Sequence, residues 1–457
     1  VRLLGEAGIP LRSSDRNHTH PLVVAGGVAC FLNPEPISRF IDLFLMGEAE
    51  ILLPSFFDSW RKTKDRSSLL DSIESLTPGA YAPTRHAEET SFSIPVQYIK
   101  DLDGMTTASS LLTPDTAFSD TFLIETLKGC PHGCRFCSAG FIYRPPRIYP
   151  AEQICKAMDS AVGKTDKIGL VSSAVADHPQ IIDICKYGRI KNFKLSFSSL
   201  RADKLDDELV DALAHSKVKT ATIAPEAGSE RMRRVINKRI TEDHILAAAG
   251  RLVRAGIINL RLYFMIGLPF ETDEDVRAIV ELALKIKAVF LEESRKKKKI
   301  GTITLSVNPF IPKPATPFQW AAMTAEPVLK KRVAIIRQGL KKTANMTVNV
   351  ESLRKAKIHA LLSLGGRKTS DLIELAVEKG WAAAMRSEKE YVEQVVYTEK
   401  KVLAPLPWDF LDNGLERKFL EREWQRARES KISAACPMID CETCRTCISP
   451  NITSDTP

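Results

Sequence analysis

Phe122-Leu-Ile-Glu-Thr-Leu-Lys-Gly-Cys130-Pro-His-Gly-Cys134-Arg-Phe-Cys137 decides how the rest of the 457-residue chain is read. The stretch opens on an apolar run that suits a buried strand. A glycine turn then leads into three cysteines, separated by three residues and by two. Thiolates this close can hold one metal centre, and iron–sulfur clusters take thiolate ligands. A four-iron cube held by three cysteines keeps one iron open to another ligand. A zinc knuckle with a distant fourth ligand is the competing use of such a triplet.

The chain downstream of the triplet argues for the cluster. Apolar strand patterns at 122–127, 167–173, 194–201, 220–226, 258–269 and 301–308 alternate with helix patterns that start near Pro150, Asp177, Asp206, Thr241 and Thr272. Sequential parallel strands with right-handed crossovers predict an α/β fold built on a partial (β/α)6 TIM-like barrel. Sites in such barrels lie at the carboxyl ends of the strands. Those ends carry Cys130, Ser172, Ser173, Ser198, Ser199, Glu226, Gly267 and Asn308, a small and polar set that suits a ligand.

Length and composition set the bounds. A chain of this size holds two or three domains, and 44% hydrophobic with 26% charged residues suits a sizeable core. The net charge of +9 permits an anionic partner but does not by itself argue for nucleic acid. No run of eighteen apolar residues predicts a membrane helix, and the first residues do not resemble a signal peptide, so a cytoplasmic location is expected. The chain opens on Val1 within a helix pattern, as a fragment missing upstream residues would. Of ten cysteines, seven fall in two clusters, which without a secretory signal favours metal over disulfides. Cys30, Cys155 and Cys185 are expected in the core.

The expected order is an α/β unit over 1–60, a linker over 61–119, the barrel core over 120–345, a helical region over 346–430 and a cysteine-rich tail over 431–457. In the tail, Cys436, Cys441, Cys444 and Cys447 are spaced by four, two and two residues, which suits a second iron–sulfur cluster or a structural zinc. Arg144 and Arg147 come after the loop and are candidates for holding an anionic substrate. His132 reads as a loop residue and Lys296 to Lys299 as a solvated helix end. Glu226 has a structural alternative in an ion pair with Arg231 or Arg201.

The Cys-x3-Cys-x2-Cys loop with Phe136 before its last cysteine resembles the radical S-adenosylmethionine enzymes, over about residues 120–345. Ala224-Pro-Glu226-Ala-Gly-Ser-Glu-Arg-Met resembles the family's fourth-strand motif, whose Glu contacts the bound nucleoside or methionine part. Tyr263-Phe-Met-Ile-Gly267-Leu-Pro resembles the fifth-strand motif that borders the adenine. Val171-Ser-Ser-Ala stands in place of the family's glycine-glycine-glutamate. The resemblance thus implies a 4Fe-4S cluster on Cys130, Cys134 and Cys137, and S-adenosylmethionine held near Phe136, Ser172, Ser173, Ser198, Arg201, Glu226 and Gly267. It also implies a flavodoxin- or ferredoxin-type electron donor. Ala25-Gly26-Gly27 with Asn33-Pro-Glu, Asp42 and Gly47-Glu-Ala-Glu50 resembles the second half of a cobalamin-binding domain, so Gly26, Gly27 and Gly47 are its candidate contacts, for cobalamin bound by the intact protein.

The function this implies is reductive cleavage of S-adenosylmethionine to a 5′-deoxyadenosyl radical, directed to cobalamin-linked methyl transfer on an unassigned substrate. The rivals are a methylthiotransferase acting on tRNA or protein, and a non-enzymatic electron carrier with two clusters. The first usually keeps its extra cluster in an amino-terminal domain, where this chain has no such cysteine set.

Overall fold

The computed structural model describes residues 1–63, 65–86, 92–198, 200–438, 441–448 and 452–453; Ser199 lies outside the described residues. The amino-terminal unit pairs β1 (Val24–Gly26) parallel with β2 (Leu43–Leu45) and adds β3 (Ala80–Tyr81) antiparallel to β2. Helices α1 (Ala49–Lys62) and α2 (Arg66–Leu76) pack on this sheet. Leu43, Leu45, Leu52, Phe56, Leu69 and Ile73 form one small core. Asp65 caps α2 by accepting from the Ser68 N–H at 2.9 Å. The stretch expected as a linker therefore carries a helix and a strand of this unit. Its polar residues cover the outside of an amphipathic helix, which hides the inward Leu69 and Ile73.

Among the described residues the central body has seven parallel strands, one more than expected. β4 (Thr121–Glu125), β5 (Lys167–Val171) and β6 (Lys194–Phe197) form one ladder. β7 (Thr220–Glu226), β8 (Asn259–Ile266), β9 (Ile303–Pro309) and β10 (Met346–Val350) form a second. No ladder joins β6 to β7 among the described residues. The connections are α3 (Ala151–Asp159), α4 (Ile181–Ile190), α5 (Asp207–His215), α6 (Glu230–Val235), α7 (Glu242–Arg254), α8 (Asp273–Lys297) and α9 (Glu326–Leu340). β10 falls in the region expected to be helical. Met346-Thr-Val-Asn-Val alternates with period two, and its exposed Thr347 and Asn349 mark an edge strand between helices.

Alternation along each strand builds two surfaces. On β9, Ile303, Leu305 and Val307 are fully buried and share a core with Ile245, Leu252, Ile279 and Leu282 of α7 and α8. Thr304, Ser306 and Asn308 face the other way and stay partly open. The helices thus cover an apolar outer face, while a polar inner face is left for a ligand. Beyond β10 come four helices between 353 and 397 and then α10 (Arg417–Arg428). The buried face of α10 carries Phe419, Leu420, Glu423 and Trp424. Among the described residues no helix is long and apolar enough to cross a membrane.

Candidate active site at the cysteine loop

The loop leaves β4 through Gly129, whose φ of +86° belongs to glycine and whose added Cβ would stand 2.7 Å from Tyr143. It is held from several sides. His132 Nε2 lies 3.0 Å from Asp177 Oδ1. Asn237 Nδ2 donates to the Gly133 carbonyl at 3.0 Å, and the Arg135 N–H donates to the Ile236 carbonyl at 3.0 Å. Arg135 is fully buried: its guanidinium pairs with Glu423 of α10 at 3.0 Å and donates to the carbonyls of Arg234, Val235 and Lys431. A buried charge needs such a set of partners. The loop is thus seated on α6 and clamped by the C-terminal region.

The three thiols sit together. Burial, then the proximity of Cys134 and Cys137, pushes Cys130 up to about 12. Burial followed by Cys134 pushes Cys137 up to about 11. Cations fringe them. Arg201 and Lys238 both feel the charge of Cys134, and Lys313 feels that of Cys137. Burial works to lower Lys238, but Glu226 and Cys134 outweigh it and hold it raised. Among the described residues no three His, Cys, Asp or Glu side chains are gathered so as to hold a single metal ion.

Glu226 ends β7 at a break in register, with a φ of +65° that non-glycine residues seldom adopt. Its Oε1 lies 3.1 Å from Lys238 Nζ. The expected partners are engaged elsewhere: Arg231 with Asp275, and Arg201 with Asp203 at 3.0 Å. Arg201 also donates to the Lys238 carbonyl at 3.0 Å, which ties the two cations together. No sequence motif marks Lys238. It lies twelve residues past Glu226, beyond α6, and only the fold brings it back.

The other expected contacts divide. Ser172 is buried and Ser198 exposed, and they link β5 to β6: Ser198 Oγ donates to the Ser172 carbonyl at 2.6 Å and accepts from its N–H at 3.0 Å. Ser173 is exposed. Phe136 packs against the aromatic core formed by Phe141, Phe318 and Trp424. Gly267 has a φ of +80°; its N–H donates to Glu271 at 2.6 Å and its carbonyl accepts from Thr324 at 3.0 Å, so both backbone groups are used within the protein. In the amino-terminal unit Gly26 and Gly27 are exposed. Gly47 is covered, because an added Cβ would stand 2.2 Å from the Gln97 carbonyl oxygen.

Arg147 is not available to a substrate. It pairs with Glu48 at 2.8 Å and donates to the Ile99 carbonyl, joining the amino-terminal unit to the core. Arg144 is buried too, 5.0 Å from the ring centres of Phe141 and Phe419. The tail returns to the loop: the Cys436 N–H donates to the Pro131 carbonyl at 2.7 Å, and the Ser433 N–H to Asn237 Oδ1 at 2.9 Å. Cys436, Cys441, Cys444 and Cys447 all line one cavity of about 820 Å³ with Gly133 of the loop at its edge.

The strand ends of this parallel β/α body thus bring together a cysteine loop, a carboxylate and a fringe of cations. Residues 124–283 match the Radical SAM superfamily, and residues 1–83 match the family described as Radical SAM proteins, N-terminal. The chain is 32% identical over 361 residues to the uncharacterized protein MJ0966 of Methanocaldococcus jannaschii, covering 79% of this chain and 74% of that one. It is 24% identical over 210 residues to the ribosomal protein uS12 methylthiotransferase RimO of Thermodesulfovibrio yellowstonii, covering 41% and 47%. It is 25% identical over 278 residues to the uncharacterized methyltransferase PH0819 of Pyrococcus horikoshii, covering 58% of each. The chain thus spans about half the length of the last two. This chain belongs to the radical SAM superfamily and is an enzyme of it. Membership implies a 4Fe-4S cluster, S-adenosylmethionine and a reductant. The loop fits the cluster, since it offers three clustered thiols beside buried cations that balance an anionic centre.

Proposed function

We propose that the protein cleaves S-adenosylmethionine reductively at the Cys130–Cys134–Cys137 loop. When bound, the reduced cluster would supply one electron to the sulfonium of S-adenosylmethionine, whose C5′–S bond would break to give methionine and a 5′-deoxyadenosyl radical able to take hydrogen from substrate. The chain's own residues bind, orient and exclude water. The three cysteines hold the cluster as thiolates. Glu226, 3.1 Å from Lys238 Nζ, accepts hydrogen bonds from a ribose diol or an ammonium. Ser172 and Ser198 border the same strand ends where the family's glycine-glycine-glutamate is missing. Phe141, Phe318 and Trp320 keep the far side of the loop dry.

The observation that carries this proposal is Glu226 in a left-handed backbone with Lys238, beside the thiols of Cys134 and Cys137. Such outliers persist where surrounding structure holds them and cluster at active sites. The names of two relatives, a methylthiotransferase and a methyltransferase, both describe transfer of a methyl-bearing group. We extend this to the present chain as the use made of the radical, with electrons from a flavodoxin- or ferredoxin-type donor. Of the expected cobalamin contacts, Gly47 is closed by Gln97, while the Gly26–Gly27 turn is open to such a ligand.

The test is anaerobic reconstitution, chemical reduction and addition of S-adenosylmethionine, with 5′-deoxyadenosine and methionine measured. Both products are expected from the wild type and neither from Cys134→Ala. A wild type with an intact cluster that forms no 5′-deoxyadenosine would overturn the proposal.

A further inference from the structure

The tail is a second construction around cysteine, separate from the loop's own chemistry. We infer that Cys436, Cys441, Cys444 and Cys447 hold a second iron–sulfur cluster in the cavity they line. Four cysteines within twelve residues all reach one cavity of about 820 Å³. Arg144, Arg422 and Arg426 line the same space. Four thiolates on a cluster leave a net negative charge, and guanidinium groups at its wall offset it. Of the acidic residues there, Glu423 is committed to Arg135 and Ser433, while Glu416 and Glu442 stand at the wall as well.

Donors already address the sulfurs. The Thr443 N–H donates to Cys441 Sγ at 3.4 Å, and the Thr446 hydroxyl lies 3.2 Å from Cys444 Sγ. Hydrogen bonds to the sulfurs are among the features that set a cluster's potential. Cys444 and Thr446 are buried, so this end of the tail is anchored. The thiols surround a space. They do not gather about a point, as a tetrahedral zinc with Zn–S bonds of about 2.3 Å would require. With all four thiolates supplied by the chain, this cluster has no open iron and does not compete for S-adenosylmethionine.

The two sites are joined by hydrogen bonds. Cys436 N–H donates to Pro131, and Ser433 reaches Gly133 through the Asn237 side chain. Filling the tail site therefore also fixes the outer side of the first loop.

The inference does not rest on the proposed reaction, because its readout is metal content. The triple variant Cys130→Ala/Cys134→Ala/Cys137→Ala of the chain, reconstituted anaerobically, is expected to keep about four irons and four sulfides per chain, with the wild type at about eight of each. The double variant Cys436→Ala/Cys444→Ala, with the loop intact, is expected to fall to about four of each. A triple variant that shows the wild-type circular dichroism but binds no iron would overturn the inference. So would one that binds zinc without sulfide, or a double variant that keeps the wild-type iron content.

Discussion

Lys238 Nζ lies 3.1 Å from Glu226 Oε1, and the carboxylate it meets hangs from a left-handed backbone at the end of β7. Were the pair only a structural ion pair, replacing Glu226 would change stability and leave ligand binding alone. As a ligand-facing carboxylate, it donates nothing and accepts from the nucleoside or ammonium. Glu226→Gln is expected to weaken S-adenosylmethionine binding by about 10–100-fold, from the ~1.5–3 kcal/mol of a charged hydrogen bond. Equilibrium binding to the reconstituted protein measures it. Unchanged affinity with a lowered melting temperature would assign Glu226 to structure.

Arg135 stands between Cys134 and Cys137, yet its guanidinium is spent on Glu423, 288 residues away. Removing one partner of a buried pair leaves an uncompensated charge, at about 3–5 kcal/mol. Glu423→Ala should therefore lose stability on that scale in urea unfolding and bind less iron at the loop. The double variant Arg135→Met/Glu423→Met should recover most of the stability, because no buried charge is left unpaired. A double variant as unstable as the single one would contradict the pair's role.

Much of the central body is legible in the sequence because one rule writes both the strands and the helices. Ile303, Leu305 and Val307 repeat with period two, while Ile245, Ala249, Leu252 and Val253 repeat with period near 3.6. β10 is not, since Met346–Val350 is an edge strand whose polar positions look like loop. The candidate site is legible where its residues are local in sequence, as in the cysteine spacing and the stretch around Glu226. It is not where partners are distant in sequence. Lys238, Asn237 and Glu423 are ordinary surface letters until α6 and α10 bring them to the loop. Arg147 goes the other way: its position after the loop suggests a substrate contact, and the fold uses it to bind Glu48.

Gly228 explains why the Glu226 motif includes a glycine. An added Cβ would stand 2.1 Å from the Ile279 backbone nitrogen of α8, so that helix lies directly on the turn. Gly228→Ala must displace backbone, and overpacking of this kind typically costs about 1–3 kcal/mol. Because the turn also carries Glu226, formation of 5′-deoxyadenosine should fall along with the urea midpoint. A variant with wild-type values of both would show that α8 moves aside freely.

Lys400 provides a pH test away from the site. Its ammonium donates to the Val395 carbonyl at 3.0 Å, and burial lowers it from its ordinary value near 10.5 to about 8. The unfolded chain then binds more protons than the folded one between pH 8 and about 10.5, so this residue's contribution to stability rises across that window. Below pH 8 the full penalty of holding the buried ammonium applies, up to about 3 kcal/mol. Lys400→Met is therefore expected to be more stable than the wild type at pH 7, with the gain shrinking as pH rises through 8 toward 10.5. Urea midpoints of both proteins at pH 7 and pH 10 measure the difference. A gain that stays the same at both pH values would mean the methionine acts through packing and not through the removed charge.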